Sequence, residues 1–293
     1  MSEPIANENV SAQAGQDASA EPAPAIGQVS PVAPLFDPAT TYSYIPYRML
    51  TREVLDACLV TPQPVDNKKR NAKAQGNSSW IKFNVSKFKK LYPEFKCRLN
   101  DDKLCFRTPY MHSPFAISAF DDKPDDKTIS LSYGKTRDDD VEAFAEWAEK
   151  VFDDWFITRI AGKSKMFLGK DNEPADQVAK LYVGLYRWTE EDQEKGQAPK
   201  TGGFKILRGK DAGRLRAFHG EQEIPVDEEH ILKGDFLSMD VEISTIWINK
   251  PRCGISGAIA RIDRRTEAEM NNPGFAVNPD EPAAAEEAAL QEE

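Results

Sequence analysis

Between Asp138 and Arg159, apolar side chains recur at Val141, Phe144, Ala148, Val151, Phe152, Trp155 and Phe156. That is the i, i+3, i+4, i+7 spacing of one buried helical face. Three aspartates, 138 to 140, stand at the positive end of this predicted helix, Arg159 and Lys163 stand at its negative end, and Gly162 can stop it. A weaker helical pattern covers 47–59. Elsewhere the pattern shortens to alternation. Ile81, Phe83 and Val85 share one side of a strand while Trp80, Lys82 and Asn84 share the other. Further strands are predicted at "KLCFR", "TISLSY", "AKLYVGLYRW" from Ala179, "FKILR" from Phe204, "RLRAF" from Arg214, "DFLSMDVEISTIWIN" from Asp235 and "GISGAIARID" from Gly254. The loop "GKDAG" would join the pair between Phe204 and Phe218 into a hairpin, and "KPRC" would join the last two. Many short strands with one main helix predict an α+β chain that is mostly β, a barrel with an α insertion.

Composition divides the chain in three. Residues 1–40 are rich in Ala, Pro, Ser, Gln and Asn, residues 266–293 are similar, and neither holds enough apolar surface to offset chain entropy. Both ends are expected to be disordered and acidic, flanking one folded domain at 41–265 that contains all five Trp and all eight Tyr. No apolar run is long enough to span a bilayer, and the chain starts without a secretory signal, so a soluble intracellular protein is expected. If the protein is viral, its site is the host nucleus or a cytoplasmic replication site. Cys58, Cys97, Cys105 and Cys253 lack the rhythm of a disulfide scaffold and suit a reducing compartment.

Charge sharpens the division. The formal net charge is −10, of which residues 1–40 carry −5 and residues 266–293 carry −8, leaving +3 for the middle. Within the middle, residues 80–98, "WIKFNVSKFKKLYPEFKCR", carry six Lys or Arg and five aromatics against Glu94 alone, a net +5. Residues 200–218, "KTGGFKILRGKDAGRLRAF", carry six bases against Asp211, also +5. Two concentrated basic segments with interleaved aromatics supply what a single nucleic-acid strand needs, cations for phosphates and flat rings for unpaired bases. The candidate contact residues are Trp80, Lys82, Lys87, Lys89, Lys90, Lys96, Arg98, Lys205, Arg208, Lys210, Arg214 and Arg216. Against this, large aromatics such as Phe83, Phe88 and Phe95 are core residues by default, and "KFKK" can be a solvated turn.

Catalytic signatures are weak. "AGKS" at 161–164 resembles the end of a phosphate-binding loop, but position 157 is Ile157 where that motif has Gly, and the segment closes a helix instead of opening one. Cys97, Cys105 and His112 lack the close spacing of a zinc site. His112, His219 and His230 stand near no Ser or Cys in a nucleophile setting. The acids of "DDDVE" and "FDDWF" leave a metal-dependent nuclease as an alternative, although helix N-terminal charge accounts for them better. A scaffold protein with an ordinary basic surface is the second alternative. No catalytic residue, metal or cofactor is expected.

Much of 80–265 resembles the OB-fold single-stranded DNA-binding proteins of large DNA viruses and phages. The resemblance rests on Ser113, Pro114 and Phe115 in "TPYMHSPF", on Leu131 in "SLSY", and on Lys233, Gly234, Asp235, Ile246, Trp247 and Gly254. Ala116 and Arg261 depart from it, where Gly and Gln are usual. The resemblance implies an OB-fold-like barrel and sequence-independent binding of single-stranded DNA, with RNA as an alternative ligand, in replication, recombination or repair. It also implies that the acidic C-terminal tail docks replication proteins.

Overall fold

The computed structural model describes residues 36–61, 65–66, 77–99, 103–120, 123–135, 138–207, 209–249 and 251–272. All of them fall within one unit, Leu35–Glu293. The expected disorder of 1–40 and 266–293 therefore lies largely outside the described residues.

The spine is a hairpin of two 14-residue strands, Phe236–Asn249 and Arg252–Arg265, paired from Phe236↔Arg265 to Asn249↔Arg252. The hairpin across "KPRC" thus forms as the sequence predicts. Register shifts at Asp240/Val241 and Ile243/Thr245 add local twist and bend the ribbon. Short strands line both of its edges. On the first strand, Met111–His112, Leu104–Arg107 and Asn77–Trp80 follow one another antiparallel. On the second, Tyr182–Val183, Phe204–Ile206 and Arg216–His219 follow one another parallel. Lys123–Ile129 and Ile117–Phe120 extend the sheet beyond Phe204–Ile206. Among the described residues no pairing joins the outermost strands, so the sheet is open. The class is mixed α and β with the sheet in the majority.

One face of the hairpin carries Leu237, Met239, Val241 and Ile243, all fully buried. The long helix belongs to this core. It runs through Asp139–Trp147, a π-helical stretch Ala148–Asp153 and Asp154–Ala161. The Asp138 carboxylate caps its start by accepting the Asp140 N–H at 2.9 Å. Phe106 of the sheet meets Trp147 and Phe152 of the helix at ring-centroid distances of 5.3 and 5.8 Å.

Three expectations need correction. First, Phe204–Ile206 and Arg216–His219 do not pair with each other, because each occupies a separate stretch of the long second strand, at 258–259 and 261–264. Residues 209–214 between them form a 3-10 helix, and the antiparallel partner of Arg216–His219 is Gln222–Ile224. An unfilled edge on a distant strand leaves no periodic trace in the short segments that fill it. Second, the run from Ala179 begins as helix Ala175–Leu181 after Pro174 and becomes strand only at Tyr182–Val183. That helix buries only Val178 fully, too little for a 3.6-residue pattern to show. Third, Val85 does not continue the strand of Ile81 and Phe83. Asn84 accepts the Lys87 N–H at 2.9 Å and starts helix Val85–Leu91, so "KFKK" is helical. The weaker helix expected at 47–59 forms as an α-helix, Arg52–Cys58, preceded by a 3-10 turn, Tyr47–Met49.

Candidate nucleic-acid interface

The second face of the hairpin is polar. Register places Arg107, Asp240, Arg261 and Arg216 side by side in one row across four strands. The next row holds Ser238, Asp263 and Phe218. Side chains two apart on a strand share a face, so the alternation of these strands builds a layer of charge over the sheet.

Its inner part is closed by ion pairs. Arg107 meets Asp240 through Nε at 2.7 Å and Nη2 at 3.2 Å, and its guanidinium lies 4.2 Å from the centroid of Tyr44. Burial opposes the charge on Arg107, yet Asp240 and Asp263 hold its pKa above the ordinary value. Glu242 accepts Arg214 Nη2 on both oxygens, at 2.7 and 2.8 Å, and Lys103 Nζ at 3.3 Å. Burial, reinforced by Asp240 and Glu242, pushes the Cys105 thiol well up, so this thiol stays protonated.

Exposure rises outward. The side chain of Arg107 is 15% exposed, Arg214 31%, Arg261 41% and Arg216 58%. With Arg98 these outer guanidiniums line a cleft of about 440 Å³, into which Phe218 also projects and whose floor includes Asp240 and Glu242. Arg214 is held by Glu242, Arg261 by Asp263 and Arg216 by Glu223, through Nε at 3.0 Å and through Nη2, while Arg107 offsets Asp240, so the cleft keeps a positive surplus of one from Arg98. The carboxylates also orient the arginines, since an Arg held on one edge keeps N–H groups on the other for a phosphate. Phe218 takes guanidinium carbons at 4.9 Å from Arg216 and 4.3 Å from Arg261. Ring and guanidinium planes of this kind are surfaces on which a base can stack.

The two basic segments therefore meet, but only in part. Arg98 comes from the first, Arg214 and Arg216 from the second. Lys96 is exposed and flanks buried Cys97, whose thiol, raised by burial, is opposed by nearby Lys89. A basic track thus leads from helix Val85–Leu91, with exposed Lys87, Lys89 and Lys90, toward Arg98. Trp80 and Lys82 flank buried Ile81 away from the cleft lining, Trp80 at 46% exposure and Lys82 opposite Val60. Lys205 is exposed on its strand, between Thr128 and Ala258. Arg208 and the side chain of Lys210 lie outside the described residues.

Sequence reasoning missed Arg107, Arg261 and Phe218. Arg107 and Arg261 each stand outside the two basic segments, and Phe218, the last residue of the second, carries no charge, so a running charge count passes over them. The available signal was charge inside an otherwise apolar strand, as in "IARID".

The residues that carried the family resemblance do something else. Ser113 N–H donates to the Asp235 carbonyl at 2.8 Å, and Gly234 N–H donates to the Ser113 carbonyl at 2.9 Å, so segments far apart in sequence are laced together. Trp247 Nε1 donates to the Ile255 carbonyl at 3.0 Å across the hairpin. A Cβ on Gly254 would fall 2.8 Å from the Trp247 ring and 2.3 Å from the Val183 carbonyl, so only Gly fits there. None of them lines the cleft, whereas Arg261, a departure from the pattern, does. No protein family and no curated protein matches the chain in comparison.

Proposed function

We propose that the protein binds single-stranded DNA without sequence preference and without catalysis, acting in replication, recombination or repair. The observation that carries this reading is the convergence of Arg98, Arg214, Arg216 and Arg261 on one cleft around Phe218. Arginines held on one edge by Glu242, Asp263 and Glu223, beside Arg98, suit a phosphate backbone, and a ring accessible from a cleft suits an unpaired base. Phosphate pairing and ring stacking are open to every base, which is why the reading is sequence-independent. The bent hairpin, with bulges at its centre and short strands on both edges, supports an OB-fold-like barrel as its architectural form. RNA is a second ligand of the same chemistry, and the acidic C-terminal segment is the proposed contact for replication proteins. Among the described residues no helix is long and apolar enough to cross a membrane.

The test is a labelled oligonucleotide incubated with the full chain, once in Mg²⁺ and once in EDTA. A shift of equal strength in both, without cleavage, is expected. Cleavage only in Mg²⁺ would replace the binder with a nuclease, and no shift at moderate salt would leave a scaffold.

A further inference from the structure

The polar face of the hairpin does not end at the cleft. One row beyond Ser238, Asp263 and Phe218, register places Arg265, Phe236 and His112 side by side, and single bridges carry that row on through Ser132 to Lys200. Paired residues point to the same side of a sheet, so Lys200 stands on the side of Phe218 and Arg261. Tyr110 fills the ground between, with the Arg265 guanidinium 4.2 Å from its ring centroid. Burial raises the pKa of its hydroxyl, Arg265 opposes the rise, and Asp263 and Arg107 act on it from nearby, which places Tyr110 on the same face.

Phe115 stands at the far end of this row. The Lys200 ammonium lies 5.8 Å from the centroid of its ring and is held there by Asp192 at 2.7 Å. The ring is 51% exposed. A single apolar side chain at the surface needs no special cause. This one, however, is held out by a built loop. Fully buried Ser113 is laced through its backbone to Gly234 and Asp235 on one side of Phe115, and Ala116 on the other side takes φ +53°. A left-handed residue with a Cβ persists only where its surroundings over-determine it, and such positions gather at ligand sites. The ring is therefore fixed before any ligand arrives, and stacking on it costs little ordering. Because Asp192 already balances Lys200, a flat uncharged group suits the ring better than an anion does.

Between the strand of Phe218 and the segment of Lys200 lie five strand spacings of about 4.8 Å, roughly 24 Å along the sheet. Stacked neighbours in a strand stand only about 3.4 Å apart, so the two rings cannot serve adjacent bases. Resting on the single-strand reading of the cleft, we infer that Phe115 is a second base-stacking platform of the same face, taking an unpaired base several nucleotides from the one at Phe218.

Strand length separates the two platforms. A dT trimer is too short to reach from one ring to the other, whereas an oligo-dT of about 16 nucleotides, the upper end of single-strand site sizes, spans both. In the full chain, Phe115→Ala should weaken binding of the long strand by about 5- to 150-fold, the loss of one stack. It should leave unchanged the affinity of the trimer, followed by NMR titration on the amide signals of Phe218 and His219. Phe115→Tyr keeps a ring and should bind the long strand as wild type does, while Phe218→Ala should weaken both ligands. Unchanged long-strand affinity in folded Phe115→Ala, or an equal loss with the trimer, would overturn the platform and leave the cleft reading intact. So would a change in sedimentation of the free Phe115→Ala protein at unchanged affinity, which would make the ring a contact between copies. A wild type that binds neither strand would overturn the cleft reading and the platform with it.

Discussion

The guanidinium of Arg261 lies 4.3 Å from the centroid of Phe218, on the strand that pairs beside it, while its Nη2 holds Asp263 at 2.8 Å. One residue is thus fixed on one edge by a carboxylate and offers its plane to a ring. The pair sits at the mouth of the cleft with Arg216 and Arg98. Phe218→Ala is expected to cost single-strand binding roughly 1 to 3 kcal/mol, the range of one base stack. Arg98→Gln and Arg216→Gln should each lower the slope of log affinity against log salt by about 0.7. Arg214 is the wrong choice for this test, since its removal strips buried Glu242 of a bidentate partner. An unchanged slope in folded Arg98→Gln/Arg216→Gln protein would place the phosphates elsewhere.

Trp80 offers an independent check on the other basic surface. It is 46% exposed, whereas Trp147 and Trp155 are 7% and 2% exposed. Quenching by 5′-hydroxyl oligo-dT should therefore fall on Trp80 and spare the two helix tryptophans. Trp188, at 48%, is as open as Trp80, so the assignment rests on the difference between wild type and Trp80→Phe. If the quenching survives that substitution, the strand does not pass over Trp80.

What the sequence showed and what it hid follow one division. Contacts close along the chain were legible: the helix from Val141 to Phe156 by its spacing, and the long hairpin by its turn. Parallel edge pairing was not, because Arg216↔Arg261 joins residues whose local patterns say nothing of each other. The same holds for the site. Arg98, Arg214 and Arg216 stood out as surplus charge, while Arg107 and Arg261 lie in apolar strands outside the two basic segments. Only the register of the sheet reveals that Asp240 lies between Arg107 and Arg261 in one row, buried with Asp263.

Stability should depend on pH through Asp153. Its carboxylate is buried in the π-helical stretch, and accepts N–H from Leu185 at 2.9 Å and from Tyr186 at 2.7 Å, and the Tyr182 hydroxyl at 3.2 Å. Burial pushes its pKa from 3.8 up to about 7, with these hydrogen bonds acting in the opposite direction and Glu149 adding to the rise. A folded pKa above the unfolded one means that the folded state holds the proton more tightly. The contribution is then fully present below about 3.8 and is lost as pH rises to about 7. Asp192 and Glu269, both lowered to about 2, act in the opposite sense, but only at pH below their unfolded values. Thermal unfolding followed from pH 4 to 7 should show a decline in wild type that flattens in Asp153→Asn. Parallel curves for the two proteins would show that Asp153 does not titrate in this window.

The last expectation concerns Ala116. Ala116 adopts φ +53°, in the left-handed region, immediately after the Ser113–Phe115 segment laced to Gly234 and Asp235. An L-residue with a Cβ pays roughly 1 to 2 kcal/mol there, and Gly returns part of that through its greater freedom when unfolded. Ala116→Gly should therefore stabilise the fold by a few tenths to about 1 kcal/mol, read as a higher urea midpoint at unchanged m-value. Gly234 is the control. Its φ is +98° and a Cβ there would meet nothing within 4 Å, so Gly234→Ala isolates backbone strain from packing and should destabilise. Opposite signs for the two substitutions are the expected result. A loss of stability in Ala116→Gly would mean that the loop is held by the Ala116 methyl group and not merely strained at its backbone.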